Sequence, residues 1–337
     1  MSSLVEFQIP SAFTANELLN HPDWMIDLTA EEIAEIDIAL REHLGSNVEY
    51  QDITKSQFPL PCFSTKLSYV LDVIENGIGA VILRGLPVEK YEPIELKKLF
   101  WGISLDLGTP IGQSSEGELI NEIKDISLKI GDPKSRYINS RGAAALHSDG
   151  CDLVMMLSIA EAESGGESEL ASSVGVHNEM LKHYPDLLEV LYEPFDHKLP
   201  NWYQGTENYY PLPIFANCQG YFVCTYARYL IEDAQNYTNA PRLTEKQRQA
   251  LDKLDEIYNS PKFKLSFRLK PGDILLMNNL LAVHGRKEYT DGATSKRHLM
   301  RVWVSHPKSR PLPPEYSIPY RNTAPGSVRG GSLFVKW

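Results

Sequence analysis

Two histidines and one aspartate carry the chemistry that this sequence most readily suggests. His147 and Asp149 stand in the run ALHSDGCD, and His284 stands in the run NNLLAVHGR. Two imidazoles and a carboxylate on one face of a metal leave the opposite positions open, a ligand set that suits a non-haem iron(II) centre admitting a co-substrate and dioxygen. In a strand, residues i and i+2 point to the same side, so His147 and Asp149 can face one ion from a strand end before Gly150 turns the chain. The third ligand must come from elsewhere. His284 follows the turn-like PGD, the apolar run ILLM, Asn278-Asn279 and LLAV, an order that predicts a hairpin returning to the core with His284 at its end. His21, His43, His177, His183, His197 and His306 lack such a context and read as surface or hydrogen-bonded structural residues.

The segment Lys296 to Val304 reads as a strand with an unusual face. By the two-residue period Arg297, Leu299, Arg301 and Trp303 share one side, and His298, Met300, Val302 and Val304 share the other. A guanidinium buried beside Leu299 and Trp303 needs an anion, and a carboxylate is its natural bidentate partner. The opposite side is apolar too, so a strand packed through that side, with both arginines in water, is the alternative.

The elements that must position these groups divide the chain in two. In the first hundred residues Thr29-Ala30-Glu31-Glu32 is a capping box, followed by Ile33, Ile36, Leu40 and Leu44 at helical spacing and Gly45 as a stop. A helix over about 66–76, the strand Ala80-Val81-Ile82-Leu83 and a helical stretch through Leu96, Leu99, Phe100 and Ile103 complete a helical region of about 1–110. Beyond residue 135 short strands dominate, at 153–157, 221–225, 263–269, 274–277 and 298–304, which predicts an antiparallel sandwich or barrel over about 135–310. Helical insertions are expected at 174–193 and 244–260, the second opened by Thr244 and Gln247. Nothing forces a domain boundary, so one domain over 1–337 is expected. The aromatic, proline-bearing stretch 198–215, with Trp202, Tyr203, Tyr209 and Tyr210, has no period and reads either as a lid or as a packing cluster.

Composition narrows the partners. With 33 Lys+Arg against 44 Asp+Glu, the net charge of −11 argues against nucleic acid, whose phosphates need clustered positive charge. No apolar run approaches the roughly 18 residues of a membrane span, and the N-terminal residues lack a secretory pattern, so a cytoplasmic protein with a small-molecule substrate is expected. Cys62, Cys151, Cys218 and Cys224 show no metal-binding or disulfide spacing. Whether the chain is a monomer or a homo-oligomer is left open.

The sequence resembles the taurine dioxygenase and clavaminate synthase-like group of iron(II)/2-oxoglutarate-dependent oxygenases. The likeness spans about residues 75 to 305 and runs, in the group's order, through AVILRGLPV with DLGTPIG, LHSDG, GGESELASS, PGDILLMNNLLAVHGR and KRHLMRVWV. It implies a mainly β fold with flanking helices around a double-stranded β-helix, or jelly-roll, core. It implies that His147, Asp149 and His284 hold Fe(II), that Arg297 pairs with the distal carboxylate of the co-substrate 2-oxoglutarate, and that Ser168 helps there in place of the group's usual threonine. Arg301 matches a position that meets an acidic group of the substrate in several members. Related halogenases carry a small residue where Asp149 stands, so its presence favours oxygen insertion. Gly165 and Gly166 fit a turn rather than a phosphate loop, since the lysine and spacing of a P-loop are missing.

The implied activity is O2-dependent hydroxylation of an unactivated C–H bond in a small, carboxylate- or amino-acid-like molecule, with desaturation or ring formation as outcomes of the same oxidant. The alternative from another class is a non-catalytic jelly-roll binding module. A zinc hydrolase is the third reading, but it lacks a helical His-Glu-x-x-His and leaves Arg297 without a purpose.

Overall fold

The capping box read at Thr29 forms. The Thr29 hydroxyl accepts from the Glu32 N–H and the Glu32 carboxylate from the Thr29 N–H, opening the helix Ala30–Arg41. This helix stops short of Leu44, because the N–H groups of His43 and Leu44 reach back only three residues, to Leu40 and Arg41. The computed structural model describes residues 4–44, 48–126, 140–200 and 208–332, so the expected stop at Gly45 lies outside the described residues. The helices Phe63–Asn76 and Pro93–Leu107 follow, and Thr244 with Gln247 caps the helix Glu245–Tyr258 as expected.

The helix expected over 174–193 is two helices, Ser173–His183 and Pro185–Leu191. Pro185 has no N–H to continue the ladder and drives Tyr184 out of helical geometry, to φ −140° and ψ 49°. The N-terminal region also holds a strand that the sequence did not suggest. Met25–Asp27 pairs in parallel with Ala80–Arg84, and three residues are too few to show a period.

Two sheets carry the site. The large sheet has seven strands, in the order Met25–Asp27, Ala80–Arg84, Ile274–Asn278, Leu153–Ala160 and His298–Ser305, with Thr109–Ile111 and Asn121–Ile123 both pairing with the outer side of His298–Ser305. The small sheet has four, in the order Leu265–Phe267, Ser168–Ser172, Ala282–Arg286 and Ala144–His147, all antiparallel. Leu170, Leu265, Phe267 and Ala282 of the small sheet join Met155, Leu157, Leu275 and Leu299 of the large one in a single core. Helices flank this pair so extensively that the chain is mixed helix and sheet rather than mainly β.

The hairpin expected before His284 is a crossover. Ile274–Asn278 belongs to the large sheet and Ala282–Arg286 to the small one, and the intervening turn is fixed by the Leu280 N–H donating to Asn278 Oδ1 at 2.9 Å. Part of the stretch 198–215 is strand. Tyr209–Pro213 pairs antiparallel with Pro194–Lys198, and Tyr210 stacks on His197 with ring centres 5.6 Å apart. Trp202 and Tyr203 lie outside the described residues.

Behind the site the chain buries charge. Asp152, which is 1% exposed, accepts from Nε of the fully buried Arg329 at 2.8 Å and from the Ser305 hydroxyl at 3.2 Å. Removing one partner of such a pair leaves an uncompensated buried charge. Asp152→Ala is therefore expected to cost about 3–5 kcal/mol in urea unfolding, with part of the loss recovered by adding Arg329→Met. A loss no larger than that of a surface substitution would show that the pair carries no such penalty.

Candidate metal centre

His147 and His284 meet because their strands are neighbours. The two residues are direct cross-strand partners, their ring centres 4.5 Å apart. His147 is the last residue of its strand, and Asp149 stands two positions beyond it, in the turn. His284 lies at the middle of its strand rather than at the end. One donor atom from each of His147, Asp149 and His284 lies within 4.8 Å of the others.

The carboxylate is oriented from the opposite sheet. Asp149 Oδ2 accepts from Arg301 Nη1 at 2.8 Å and from Trp303 Nε1 at 2.9 Å, both on the strand His298–Ser305. Its Oδ1 faces His147 Nε2 at 3.7 Å, while His284 Nε2 stands 3.6 Å from Oδ2. The backbone is fixed as well. Asn279 Oδ1 accepts from the Asp149 N–H at 2.8 Å, and its Nδ2 donates to the carbonyls of Asp149 and Cys151.

Protonation follows from these contacts. Burial raises the Asp149 pKa, but Arg301, His284, His147 and the Trp303 N–H outweigh it and hold the group at about 2. Burial, then the neighbouring His147, push His284 down to about 3 against the pull of Asp149. At neutral pH the cluster therefore offers an ionised carboxylate and an unprotonated His284. His147 Nδ1 lies 2.8 Å from the Ala145 carbonyl, which calls for the N–H on that nitrogen and leaves Nε2 with its lone pair toward Asp149. This donor set fits a divalent metal of the iron class, with two imidazole nitrogens and a carboxylate oxygen converging and no thiolate among them.

The two arginines of the 297–303 face are both buried, 6% and 4% exposed, so the solvated alternative does not hold. Arg301 finds its anion in Asp149 and is braced by Gln113, whose Oε1 accepts from Nε at 2.8 Å. The acidic group that Arg301 meets in this structure is thus the candidate metal ligand. Arg297 precedes the first residue of the strand, and its Nη1 is buried with no partner among the described residues. Burial, then Arg286, lower its pKa to about 10, still above neutrality. Arg297 and Ser168 line one small cavity with Gly165, Gly166, Leu269 and Leu299. The two glycines make the expected turn, at φ 71° and 74°, and Gly166 does more: a Cβ there would stand 3.0 Å from Arg297 Cδ.

Several residues of this site were invisible to sequence reading. Asn279 was named only within the run before His284, Trp303 only as a neighbour of the two arginines, and Gln113 carried no signal. Arg286 in HGR falls on the same side of its strand as His284, which the two-residue period could have disclosed.

Residues 48–303 match the family described as taurine catabolism dioxygenase TauD, TfdA family. FR-33289 synthase of Streptomyces rubellomurinus is 29% identical over 273 residues, covering 79% of this chain and 80% of that protein. Among solved structures, asparagine oxygenase in complex with Fe(II), 2S,3S-3-hydroxyasparagine and succinate superposes with a TM-score of 0.66 at 18% identity, covering 84% of this chain and 93% of the other. The non-heme iron oxygenase OrfP with Fe and alpha-ketoglutaric acid gives a TM-score of 0.62 at 18% identity, with 83% and 93% covered.

Two measurements test the centre. Loss of the side chain that fixes the Asp149 turn, in Asn279→Ala, is expected to lower Mn(II) affinity about 10–100-fold in titration calorimetry, and an unchanged affinity would remove Asn279 from the site. In the metal-free protein three buried rings have depressed pKa values: His284 at about 3, and His177 and His197 at about 4, all chiefly by burial. Below pH ~6.5, the ordinary histidine value, the unfolded chain takes up protons that these rings refuse, so stability falls by ~1.4 kcal/mol per ring per pH unit until each folded value is reached. Asp149 adds its own loss from its usual 3.8 down to about 2. Thermal unfolding of chelator-treated protein is expected to drop steadily between pH 6.5 and 4, and a flat profile would contradict the burial of these rings.

Proposed function

The chain belongs to the taurine catabolism dioxygenase TauD, TfdA family, and from that membership we propose that His147, Asp149 and His284 hold the iron of an enzyme that hydroxylates a small amino-acid- or carboxylate-like substrate. The protein is an Fe(II)/2-oxoglutarate-dependent oxygenase, with O2 as second co-substrate. This sets aside the non-catalytic binding module and the hydrolase. The observation that carries the site assignment is the convergence of the three donors together with a buried guanidinium, Arg297, whose Nη1 has no partner among the described residues.

When bound, the iron couples oxidative decarboxylation of 2-oxoglutarate by dioxygen to oxidation of a C–H bond. The chain's own residues do the rest. Arg297 holds the distal carboxylate through paired N–H donors, and the Ser168 hydroxyl donates to the same group from across the cavity. Arg301 and Trp303 keep Asp149 ionised and turned toward the imidazoles. Arg301 also presents its charge toward an acidic substrate group, a role it combines with clamping Asp149. Asparagine oxygenase, with its hydroxyasparagine product, supports the amino-acid class by likeness of fold.

We read the two facing sheets as a double-stranded β-helix, supported by their antiparallel order and by the likeness to solved oxygenases. The N-terminal region belongs to the same domain, because Met25–Asp27 and Ala80–Arg84 extend the large sheet itself. No helix of the described residues is long and apolar enough to cross a membrane, and four unpaired cysteines suit a reducing, cytoplasmic setting.

The reading is tested by anaerobic binding and aerobic turnover. With Fe(II), ascorbate and 2-oxoglutarate the protein is expected to form succinate, faster when a matching amino acid from a broad panel is present. Arg297→Met is expected to raise the 2-oxoglutarate Kd at least tenfold, on the scale of about 1.5–3 kcal/mol for a hydrogen bond to a charged group. Failure of the wild type to bind 2-oxoglutarate would end the site assignment, and succinate formation indifferent to every amino acid would end the substrate class.

A further inference from the structure

Three buried polar atoms gather around one aromatic ring with no partner among the described residues: Arg286 Nε, Arg297 Nη1 and Tyr289 Oη. The guanidinium carbons of Arg286 and Arg297 lie 4.9 and 5.4 Å from the centre of the Tyr289 ring. All three residues are buried. Arg286 Nη2 donates to the backbone carbonyls of Ser140, at 2.8 Å, and of Gly142, but neutral acceptors do not cancel its charge. The nearby Asp291 spends Oδ1 on the backbone N–H of Arg297, at 2.8 Å, and forms no ion pair with either guanidinium. Among the described residues neither guanidinium has an ion-pair partner, although Glu161 also lines the cavity beside Arg297, so two like charges share a site poor in water, an arrangement that an anion would relieve.

The place such an anion would occupy is bounded by the residues around it. Arg286 is the direct cross-strand partner of Ser168, which lines the small cavity with Arg297, and Gly166 leaves the room in which the Arg297 side chain lies. We propose that Arg286 and Tyr289 are binding residues for the distal carboxylate of the co-substrate, so that one carboxylate is shared by two guanidiniums and a phenol hydroxyl. The proposal rests on the assignment of 2-oxoglutarate to Arg297 made above and adds two residues to it. It has a chemical consequence. Selection of a dicarboxylic over a monocarboxylic keto acid is set by a double positive charge, and a monoacid leaves that charge uncompensated.

The test compares 2-oxoglutarate with 2-oxobutyrate, which keeps the keto acid head and lacks the distal carboxylate. Binding is measured by calorimetry to Mn(II)-loaded protein without dioxygen. Arg286→Met is expected to weaken 2-oxoglutarate at least tenfold while leaving 2-oxobutyrate within twofold, and Tyr289→Phe to weaken 2-oxoglutarate about threefold. Equal weakening of both acids by Arg286→Met would assign Arg286 to holding the backbone at Ser140 and Gly142, and would overturn the proposal. Should that variant fail to fold, Arg286→Lys and Tyr289→Phe decide: unchanged 2-oxoglutarate affinity in both overturns it, and selective loss supports it. If the wild type binds 2-oxoglutarate and the variants match it, only this proposal falls. If the wild type does not bind it at all, the co-substrate assignment falls first.

Discussion

One buried carboxylate ties the site to the fold. Asp149 sits beyond the end of a small-sheet strand, where the ladder no longer fixes the backbone, and it is held instead by three side chains from elsewhere. Arg301 and Trp303 reach it from the large sheet, and Asn279 reaches it from the crossover between sheets. An ionised carboxylate taken out of water is costly unless it is paired and hydrogen-bonded. Here the pairing also sets direction. Two donors on Oδ2 fix the plane of the group, and Oδ1 is left facing His147.

The same turn is braced from behind by the C-terminal segment. The Gly331 N–H donates to the Gly150 carbonyl at 2.9 Å, and Arg329 pairs with Asp152 three residues past Asp149. Close approach of backbone to backbone requires glycine on the C-terminal side: a Cβ at Gly330 would stand 2.4 Å from the Gly150 oxygen. The chain beyond residue 303, where the family match ends, thereby reaches the turn that carries a candidate metal ligand.

How much of this was legible beforehand depended on whether a feature was local or relational. The His147–Asp149 spacing, both capping boxes and the apolar face of the helix Ala30–Arg41 are short-range patterns that the chain repeats in space. Partners brought together across sheets were not legible. Arg301 was correctly expected to need an anion, but nothing near it in sequence named Asp149, 152 positions away. Asn279 carried no signal because its partners are the backbone groups of Asp149 and Cys151, far off along the chain. The strand Met25–Asp27 failed for the opposite reason, being too short to show alternation, and the split of 174–193 was written in Pro185 but masked by apolar residues at helical spacing on both sides.

The distribution of charge ties these observations together. Among the described residues three buried guanidiniums stand on the inward side, Arg286, Arg297 and Arg301, and Asp149 is the carboxylate that pairs with one of them. Arg301 pairs with Asp149 within the protein, whereas among the described residues Arg286 and Arg297 flank Tyr289 and form no ion pair. A protein that needed only stability would gain by replacing such a pair with apolar side chains of similar volume. Retaining the two cations beside a cavity makes the ligand-free state the strained one, and a ligand that binds only the folded state returns that strain as stability, in proportion to its concentration over its Kd. The metal ligands and the cations therefore perform separable tasks on one frame. The small sheet presents the imidazoles, the large sheet holds the carboxylate between them, and the guanidiniums of Arg286 and Arg297, around Tyr289, have no ion-pair partner among the described residues.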